Sequence, residues 1–197
     1  MNKRFSGACE RNAGPILEVL RHEFAYVQHV LEIGSGTGQH AVFMAEHLPH
    51  LRWQPSDLSE HHPSIRAWIE EAALSNVLPP ITLDMTQPQW PAGDFDAVFT
   101  ANTCHIMSWD RVETMFEGVG RLLPQGGVLC VYGPFNVGGQ YTSEGNARFD
   151  EALRAQGAHM GLRDLEAMQQ LARSCGLTAI ADHAMPANNR LLVWHRA

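Results

Sequence analysis

The chain has 197 residues, 45% of them hydrophobic, which suits one domain with a large core or two small domains. Its formal net charge of −7 and its lack of a long basic run disfavour binding to nucleic acid or anionic membranes by charge alone. The N-terminus lacks the apolar run of a secretory signal, and no segment is long enough to span a membrane, so we expect a cytoplasmic protein without membrane or nucleic-acid partners.

The chain up to residue 132 predicts helices alternating with short strands. A helix is expected over residues 12–26, with Asn12 as its N-cap and Pro15 in its first turn. Apolar stretches predict strands at 27–33, 51–54, 77–83, 95–101 and 128–132, and helices at 41–48, 59–74 and 109–123. The strands are short, apolar and β-branched rather than alternating, which is typical of a parallel sheet covered on both faces. Right-handed crossovers would give a doubly wound α/β sheet, in which ligands bind beyond the carboxyl ends of the strands.

The remainder of the chain departs from this alternation. Residues 137–163 are polar and rich in glycine, with a short helix expected at 149–153. The segment is too long for an ordinary connection, so we predict a lid-like insertion, the alternative being a mobile surface excursion. A helix over 164–175 then precedes two strands, at 177–183 and 190–195, whose short connecting loop predicts an antiparallel hairpin.

Three glycines at alternating positions, Gly34, Gly36 and Gly38, follow the first predicted strand. Without Cβ atoms, this glycine loop (residues 34–38) lets a ligand reach the backbone and the unpaired N–H groups of the next helix. An ordinary tight turn needs only one glycine, so the spacing favours a cofactor site. The dinucleotide-binding fingerprint is Gly-x-Gly-x-x-Gly/Ala. Counted from Gly34, its last position falls on Gln39 and the pattern fails; counted from Gly36, the last position falls on Ala41 and the pattern fits.

Glu32 stands just before these glycines and completes the pattern Glu-x-Gly-x-Gly-x-Gly. This pattern resembles motif I of class I S-adenosylmethionine-dependent methyltransferases. The resemblance covers residues 27–195 and implies a seven-stranded Rossmann-like sheet, with five parallel strands and a closing antiparallel hairpin. It also implies that Asp84, after the third strand, lies near the adenine. Asp57 suits the ribose of either S-adenosylmethionine or a dinucleotide.

Several further segments resemble the methyltransferase-like 26 family, whose members have no secure substrate. These segments are residues 6–17, 55–57, 132–135, 142–150 and 185–189. Gly7 and Gly145 replace the proline and serine usual in that family, but both departures are conformational and leave the cofactor prediction intact. The resemblance implies one domain over residues 1–197, with a cap helix within 1–26 and the insertion at 137–163.

The resemblance assigns candidate site residues to the carboxyl ends of the strands. The cofactor would contact Glu32, Gly34, Ser35, Gly36, Gly38, Asp57, Asp84, Met85 and Asn102. Structural alternatives are an N-cap for Asp57, a turn residue for Asp84 and a core residue for Met85. Asn102 and His105 follow the fourth strand, where these enzymes transfer the methyl group, and His105 is the candidate base. Candidate substrate or lid residues are Glu10, Arg11, Asn12, Asn136, Tyr141 and Asn189.

The sequence therefore predicts an S-adenosylmethionine-dependent methyltransferase, a monomer or homodimer, acting on a small molecule or a protein. The Asn-Pro-Pro-Tyr signature is absent, which disfavours base-amino and glutamine acceptors. One alternative is a non-catalytic module that binds S-adenosylmethionine or S-adenosylhomocysteine and acts through partners; another is an NAD-dependent oxidoreductase. The histidine pairs at 47/50 and 61/62 have no suitable neighbouring ligands, so no metal site is expected.

Overall fold

A computed structural model of the protein describes residues 3–197. The chain packs as two compact units, one ending at Thr100 and the other beginning at Ala101. The fold is α/β, with a mixed sheet that is mostly parallel and has antiparallel strands near the C-terminus. Among the residues described, no helix combines the length and the apolar character needed to cross a membrane.

The first unit alternates strands and helices, as the sequence predicts. Its strands are β1 (His29–Ile33), β2 (Arg52–Asp57), β3 (Ile81–Thr82) and β4 (Ala97–Ala101), paired in parallel in the order β3-β2-β1-β4. Its helices are α1 (Gly7–Glu23), α2 (Gln39–His47) and α3 (His62–Ala72), with a 3-10 turn at Ser59–His61. β1 has a neighbour on each side and is buried from Val30 to Ile33, which explains why Glu32 is its only charged residue.

The register of β1 and β2 places the glycine loop. Ile33 lies opposite Ser56, so both strands end at the same level. The backbone N–H groups of Gly34 and Ser35 both donate to the carbonyl oxygen of Ser56 at 3.0 Å. The loop therefore begins beside Asp57, the last residue of β2.

The second unit contains the predicted antiparallel strands. Its elements are α4 (Trp109–Leu122), β5 (Val128–Asn136), α5 (Glu144–Gln156), β6 (Arg163–Asp164), α6 (Leu165–Ser174), β7 (Leu177–Met185), a 3-10 turn (Pro186–Asn188) and β8 (Asn189–Arg196). β8 pairs antiparallel with both β5 and β7, which confirms the hairpin. The two-residue strand β6 pairs with β5 and was not predicted.

The predicted start of the first helix is wrong. α1 begins at Gly7 rather than at Asn12, and its N-cap is Ser6, whose Oγ accepts a hydrogen bond from the N–H of Cys9 at 3.4 Å. Asn12 lies buried inside the helix, and Pro15 also lies within it rather than in the first turn. The prediction failed because the inward-facing residue Asn12 is polar. The apolar stripe that marks a helix in the sequence therefore begins only at Ala13.

Two further elements differ from their predicted lengths. The strand expected at 77–83 is reduced to β3, and Val77 forms only an isolated bridge with Trp53. Pro79 and Pro80 interrupt the ladder because proline has no N–H to donate. The short helix expected at 149–153 is the 13-residue α5, whose inner face includes the polar residues Asn146 and Asp150. Hydrophobic periodicity could not reveal a helix that buries polar side chains.

Candidate functional site

The glycine loop uses its three glycines in different ways. Gly34, Gly36 and Gly38 all have positive φ, between 58° and 96°. A Cβ on Gly38 would lie 2.8 Å from Cα of Ile65, so this glycine lets α2 approach α3. A Cβ on Gly36 would meet nothing closer than the carbonyl oxygen of Gly34, at 4.0 Å. Gly36 therefore marks the open side of the loop.

Asp57 binds the glycine loop at Gly36. Its Oδ2 accepts a hydrogen bond from the N–H of Gly36 at 2.7 Å, and its Oδ1 accepts one from Leu58 at 2.7 Å. The side chain is 11% exposed. A carboxylate has about four lone-pair sites, so two remain for the hydroxyl groups of a ligand. The alternative of an N-cap for α3 is not observed, because His61 occupies that position.

Glu32 lies beneath the loop and joins it to β2. It is only 2% exposed, and its Oε2 accepts hydrogen bonds from Ser35 Oγ at 2.8 Å and Trp53 Nε1 at 3.1 Å. Burial raises the pKa of Glu32 to about 7, although the hydrogen bonds from Trp53 and Ser35 act in the opposite direction. The backbone N–H of Ser56 also donates to Ser35 Oγ at 3.1 Å. Glu32 and Ser35 therefore support the loop from below.

The N-terminal segment contacts the loop from another side, which the sequence did not predict. Arg4 Nη2 donates to the carbonyl oxygen of Gly36 at 3.3 Å and lies 2.5 Å from His61 Nδ1. The other ring nitrogen of His61, Nε2, is 3.8 Å from Asp57 Oδ1. Arg4 and His61 thus place two basic groups beside the loop and its carboxylate.

The predicted substrate residues on α1 have separate environments. Glu10 and Arg11 are exposed. Asn12 is buried, with its Oδ1 2.7 Å from Nε2 of His40 on α2. Burial lowers the pKa of His40 to about 4, so the imidazole is neutral at physiological pH. The Asn12–His40 contact joins α1 to the helix that follows the glycine loop.

Asp84 and Met85 follow β3 in a turn. Oδ1 of Asp84 accepts a hydrogen bond from the N–H of Thr86 at 2.8 Å, and its carbonyl oxygen accepts one from Gln87 at 2.9 Å. The Met85 side chain is buried. Asp84 therefore has the turn role that was its structural alternative, and a carboxylate oxygen can accept a further hydrogen bond.

In the second unit, the structure brings Asn102 and His105 together. Both belong to the turn after β4, here named the His105 turn (residues 102–107), and a Cβ placed on Gly133 would lie 3.7 Å from His105 Nδ1 and 3.9 Å from Asn102 Oδ1. The His105 ring is 4% exposed and packs edge-on against Phe149, with 5.3 Å between ring centroids. Burial, reinforced by the charge of Arg163, lowers the pKa of His105 to about 4. The imidazole is therefore neutral at pH 7 and can accept a proton.

The other predicted residues of this unit make different contacts. The Tyr141 hydroxyl donates to Asp150 Oδ2 at 2.8 Å, while the residue is 48% exposed. Asn189 Nδ2 donates to the carbonyl oxygen of Pro186 at 3.0 Å, within its own turn. Oδ1 of Asn136 is buried without a hydrogen-bond partner among the residues described. Asn136 is therefore the one of these three that carries an orphaned polar atom.

Residues 3–196 match the model of a family described as protein of unknown function, DUF938. The chain belongs to this family.

Solved structures resemble this DUF938 chain in fold. An O-methyltransferase family protein from Burkholderia thailandensis has a TM-score of 0.84 at 19% identity, covering 96% of this chain and 57% of its own. Human N-acetylserotonin methyltransferase in complex with SAM has a TM-score of 0.82 at 14% identity, and the match covers 96% of this chain and 53% of that protein. PigF with SAH has a TM-score of 0.81 at 16% identity, and the match covers 94% of this chain and 56% of that protein. At these identities the likeness establishes the fold alone, and the DUF938 chain spans little more than half the length of each structure.

The DUF938 chain has a concavity at the amino ends of β1 and β2. It has a volume of about 1030 Å³, and its lining includes His29, Arg52, Trp90 and Phe95. None of the predicted site residues lines it, and ligands of such sheets bind at the opposite, carboxyl ends. Within residues 3–197, no group of three or more His, Cys, Asp or Glu side chains is placed to hold a metal ion.

Proposed function

We propose that this DUF938 chain is a class I S-adenosylmethionine-dependent methyltransferase acting on a small molecule or a protein. The observation that carries the proposal is the hydrogen bond between Asp57 Oδ2 and the N–H of Gly36. It joins a carboxylate with spare acceptor sites to the backbone of a glycine loop. The likeness in fold to methyltransferases solved with SAM or SAH supports the same function.

The residues of the first unit fit this cofactor. The backbone of Gly34, Gly36 and Gly38 would line its methionine and ribose portion, and Asp57 would accept from the ribose hydroxyls. Asp84 would accept from the adenine amino group, with Met85 beside the ring. Glu32 and Ser35 would hold the loop in shape through the hydrogen bonds that join them to each other and to Ser56. When bound, the cofactor supplies an electrophilic methyl group on a sulfonium.

The protein's contribution to the reaction would be orientation of the acceptor and removal of its proton. Orientation alone can supply much of the rate of a transfer between two bound groups. Neutral His105 would accept a proton from an acceptor hydroxyl or amine, and Asn102 Oδ1 would accept a hydrogen bond from the same group. The O-methyltransferases of similar fold support a hydroxyl acceptor.

The finer features of the sequence prediction belong to the same proposal. The segments that resemble the methyltransferase-like 26 family support membership of that group. We propose a single domain over residues 1–197, with the N-terminal helix as a cap and residues 137–163 as a lid-like insertion. The candidate substrate or lid residues remain Glu10, Arg11, Asn136, Tyr141 and Asn189, with Asn12 holding α1 against α2 through His40.

Calorimetric titration with S-adenosylhomocysteine, and separately with NAD, tests the proposal. We expect binding of S-adenosylhomocysteine and none of NAD. The reverse result would establish the oxidoreductase alternative. Tight binding of S-adenosylhomocysteine without methyl transfer to any of a panel of hydroxyl, amine and protein acceptors would favour the non-catalytic module. The low pKa of His105 is the observation that favours the non-catalytic module, because it makes the imidazole a weak base.

A further inference from the structure

One short segment of the insertion holds the carbonyl groups of the His105 turn. Arg163 donates from Nε to the carbonyl oxygen of Cys104 at 2.9 Å and from Nη2 to that of Met107. The N–H of Gly161 donates to the carbonyl oxygen of His105 at 2.9 Å. Gly161 and Arg163 together are named the carbonyl clamp. Three carbonyl groups in four consecutive residues of the turn are therefore bound by two residues of the clamp.

The chemistry of arginine suits this arrangement. A guanidinium presents five N–H donors in a rigid plane, so one side chain can bind several carbonyl oxygens at fixed angles. Nη2 of Arg163 also donates to the carbonyl oxygen of His159 at 3.0 Å. The backbone of Arg163 is fixed in turn, because it pairs with Phe135 in the β5–β6 ladder. The clamp thus acts from a rigid position.

The clamp is also tied to the body of the insertion through Asp150. Oδ1 of this buried residue accepts from the N–H of Leu162 at 2.6 Å. Its Oδ2 accepts from Tyr141 at 2.8 Å and from Arg154 Nε at 2.6 Å. Phe149, on the same helix, packs against the His105 ring. The insertion therefore contacts His105 through both the backbone of its turn and its imidazole.

We propose that Arg163 is a positioning residue that fixes the direction of the His105 imidazole, and that the insertion thereby controls proton removal from the acceptor. The inference rests on the proposed function in taking His105 as the base. The groups beside the imidazole are Arg163 from β6, Phe149 from α5 and Gly133 from β5. Arg163 is the cation among them, and its charge also favours the neutral ring.

The test follows the His105 ring by NMR between pH 7 and pH 5, using its carbon-bound protons, with His105→Gln to assign the signals. In the wild type we expect the ring to remain neutral over this range, since its pKa is lowered to about 4. In Arg163→Met we expect its pKa to rise, because the lowering by the Arg163 charge is lost while the larger lowering by burial remains, so the ring should be more protonated at pH 5 than in the wild type. Arg148→Met is the matched control, because it removes an equal charge from an exposed site on α5.

Arg163→Lys separates the charge of Arg163 from its geometry. Lysine keeps the cation but cannot hold three separate carbonyl groups with a planar fork. We expect the ring of this variant to stay neutral, while hydrogen exchange of the Gly161 amide becomes at least tenfold faster than in the wild type. Unchanged Gly161 exchange in both Arg163→Met and Arg163→Lys, together with an unchanged His105 titration, would overturn the proposal.

Binding of S-adenosylhomocysteine to the same samples separates this inference from the proposed function. If the wild type does not bind it, the proposed function fails, whereas the NMR result still decides whether Arg163 positions His105. If the wild type binds it and Arg163→Met changes neither the titration nor the exchange, the inference fails alone. Should Arg163→Met not fold, Arg163→Lys still decides through Gly161 exchange.

Discussion

At the scale of single residues, the first unit keeps a buried acid beneath its candidate cofactor loop. Glu32 accepts hydrogen bonds from Ser35 and Trp53 through one oxygen, and its carboxyl group is held largely protonated below neutral pH. An ionised carboxylate at this position would be costly without a cation beside it. The loop is thus supported by an acid that titrates near physiological pH.

Glu32 should make the free energy of unfolding depend on pH. In the unfolded chain this group ionises near pH 4.5, and in the folded chain near 7. Between those values the unfolded state binds fewer protons, so stability falls as pH rises and becomes constant above about 7. Glu32→Gln should remove a change of roughly 3 kcal/mol over this range. Urea denaturation at several pH values measures it.

The matched control for Glu32→Gln is Glu113→Gln. Glu113 also accepts a hydrogen bond from an indole, that of Trp109 at 2.8 Å, but it is only half-buried. The two variants should differ in their pH dependence although each replaces a carboxylate beside an indole. Equal profiles for the two variants would contradict the role given to the burial of Glu32.

Asp57 should set the affinity for S-adenosylhomocysteine. Asp57→Asn keeps an oxygen for the N–H of Gly36 but loses the charge, and Asp57→Ala loses both. We expect Asp57→Ala to weaken binding about tenfold or more and Asp57→Asn to be intermediate, because hydrogen bonds to charged groups contribute about 1.5–3 kcal/mol. Calorimetric titration measures the dissociation constant of S-adenosylhomocysteine for each variant. Asp96→Ala is the control, since Asp96 also accepts from backbone N–H groups, those of Gln28 and His29.

At the scale of secondary-structure elements, the caps decide where helices begin. Ser143 Oγ accepts from the N–H of Asn146 at 3.0 Å at the start of α5, whereas Ser108 caps α4 without such a bond. Helix N-termini have N–H groups without intrahelical partners, so the bond at Ser143 should contribute to stability. α5 carries Asp150 and Phe149, and its cap therefore also affects the surroundings of His105.

Ser143→Ala should lower the free energy of unfolding by about 1 kcal/mol, because it removes a side-chain cap. Ser108→Ala should lower it less, since no helix N–H depends on that side chain. Thermal or urea unfolding of the two variants provides the comparison. A larger loss for Ser108→Ala than for Ser143→Ala would show that these caps do not control helix stability here.

At the scale of the whole molecule, a ligand that binds only the folded chain must stabilise it. S-adenosylhomocysteine at a hundred times its dissociation constant should raise the free energy of unfolding by about 2.7 kcal/mol. NAD at the same concentration should have no effect under the proposed function. Urea unfolding with and without each compound measures the shift. Stabilisation by NAD alone would instead support the oxidoreductase reading of the loop.

The order of elements could be predicted because each leaves a local pattern. The apolar run of β1, the glycines after it and the short loop before β8 indicated the sheet, the loop and the hairpin. The start of α1 and the length of α5 could not be predicted, because both helices bury polar side chains such as Asn12 and Asp150. A polar residue that faces inward looks, in sequence, like a residue that faces solvent.

The sequence by itself determined the α/β fold, the antiparallel strands and the position of the glycine loop, because periodicity and glycine spacing are local properties. Only the tertiary structure decided which side chains support the candidate site. His40 contacts Asn12 across 28 positions, and Arg163 contacts Cys104 across 59. Such pairs leave no local pattern, because each partner is chosen by the packing of distant elements and by the need to pair buried polar groups.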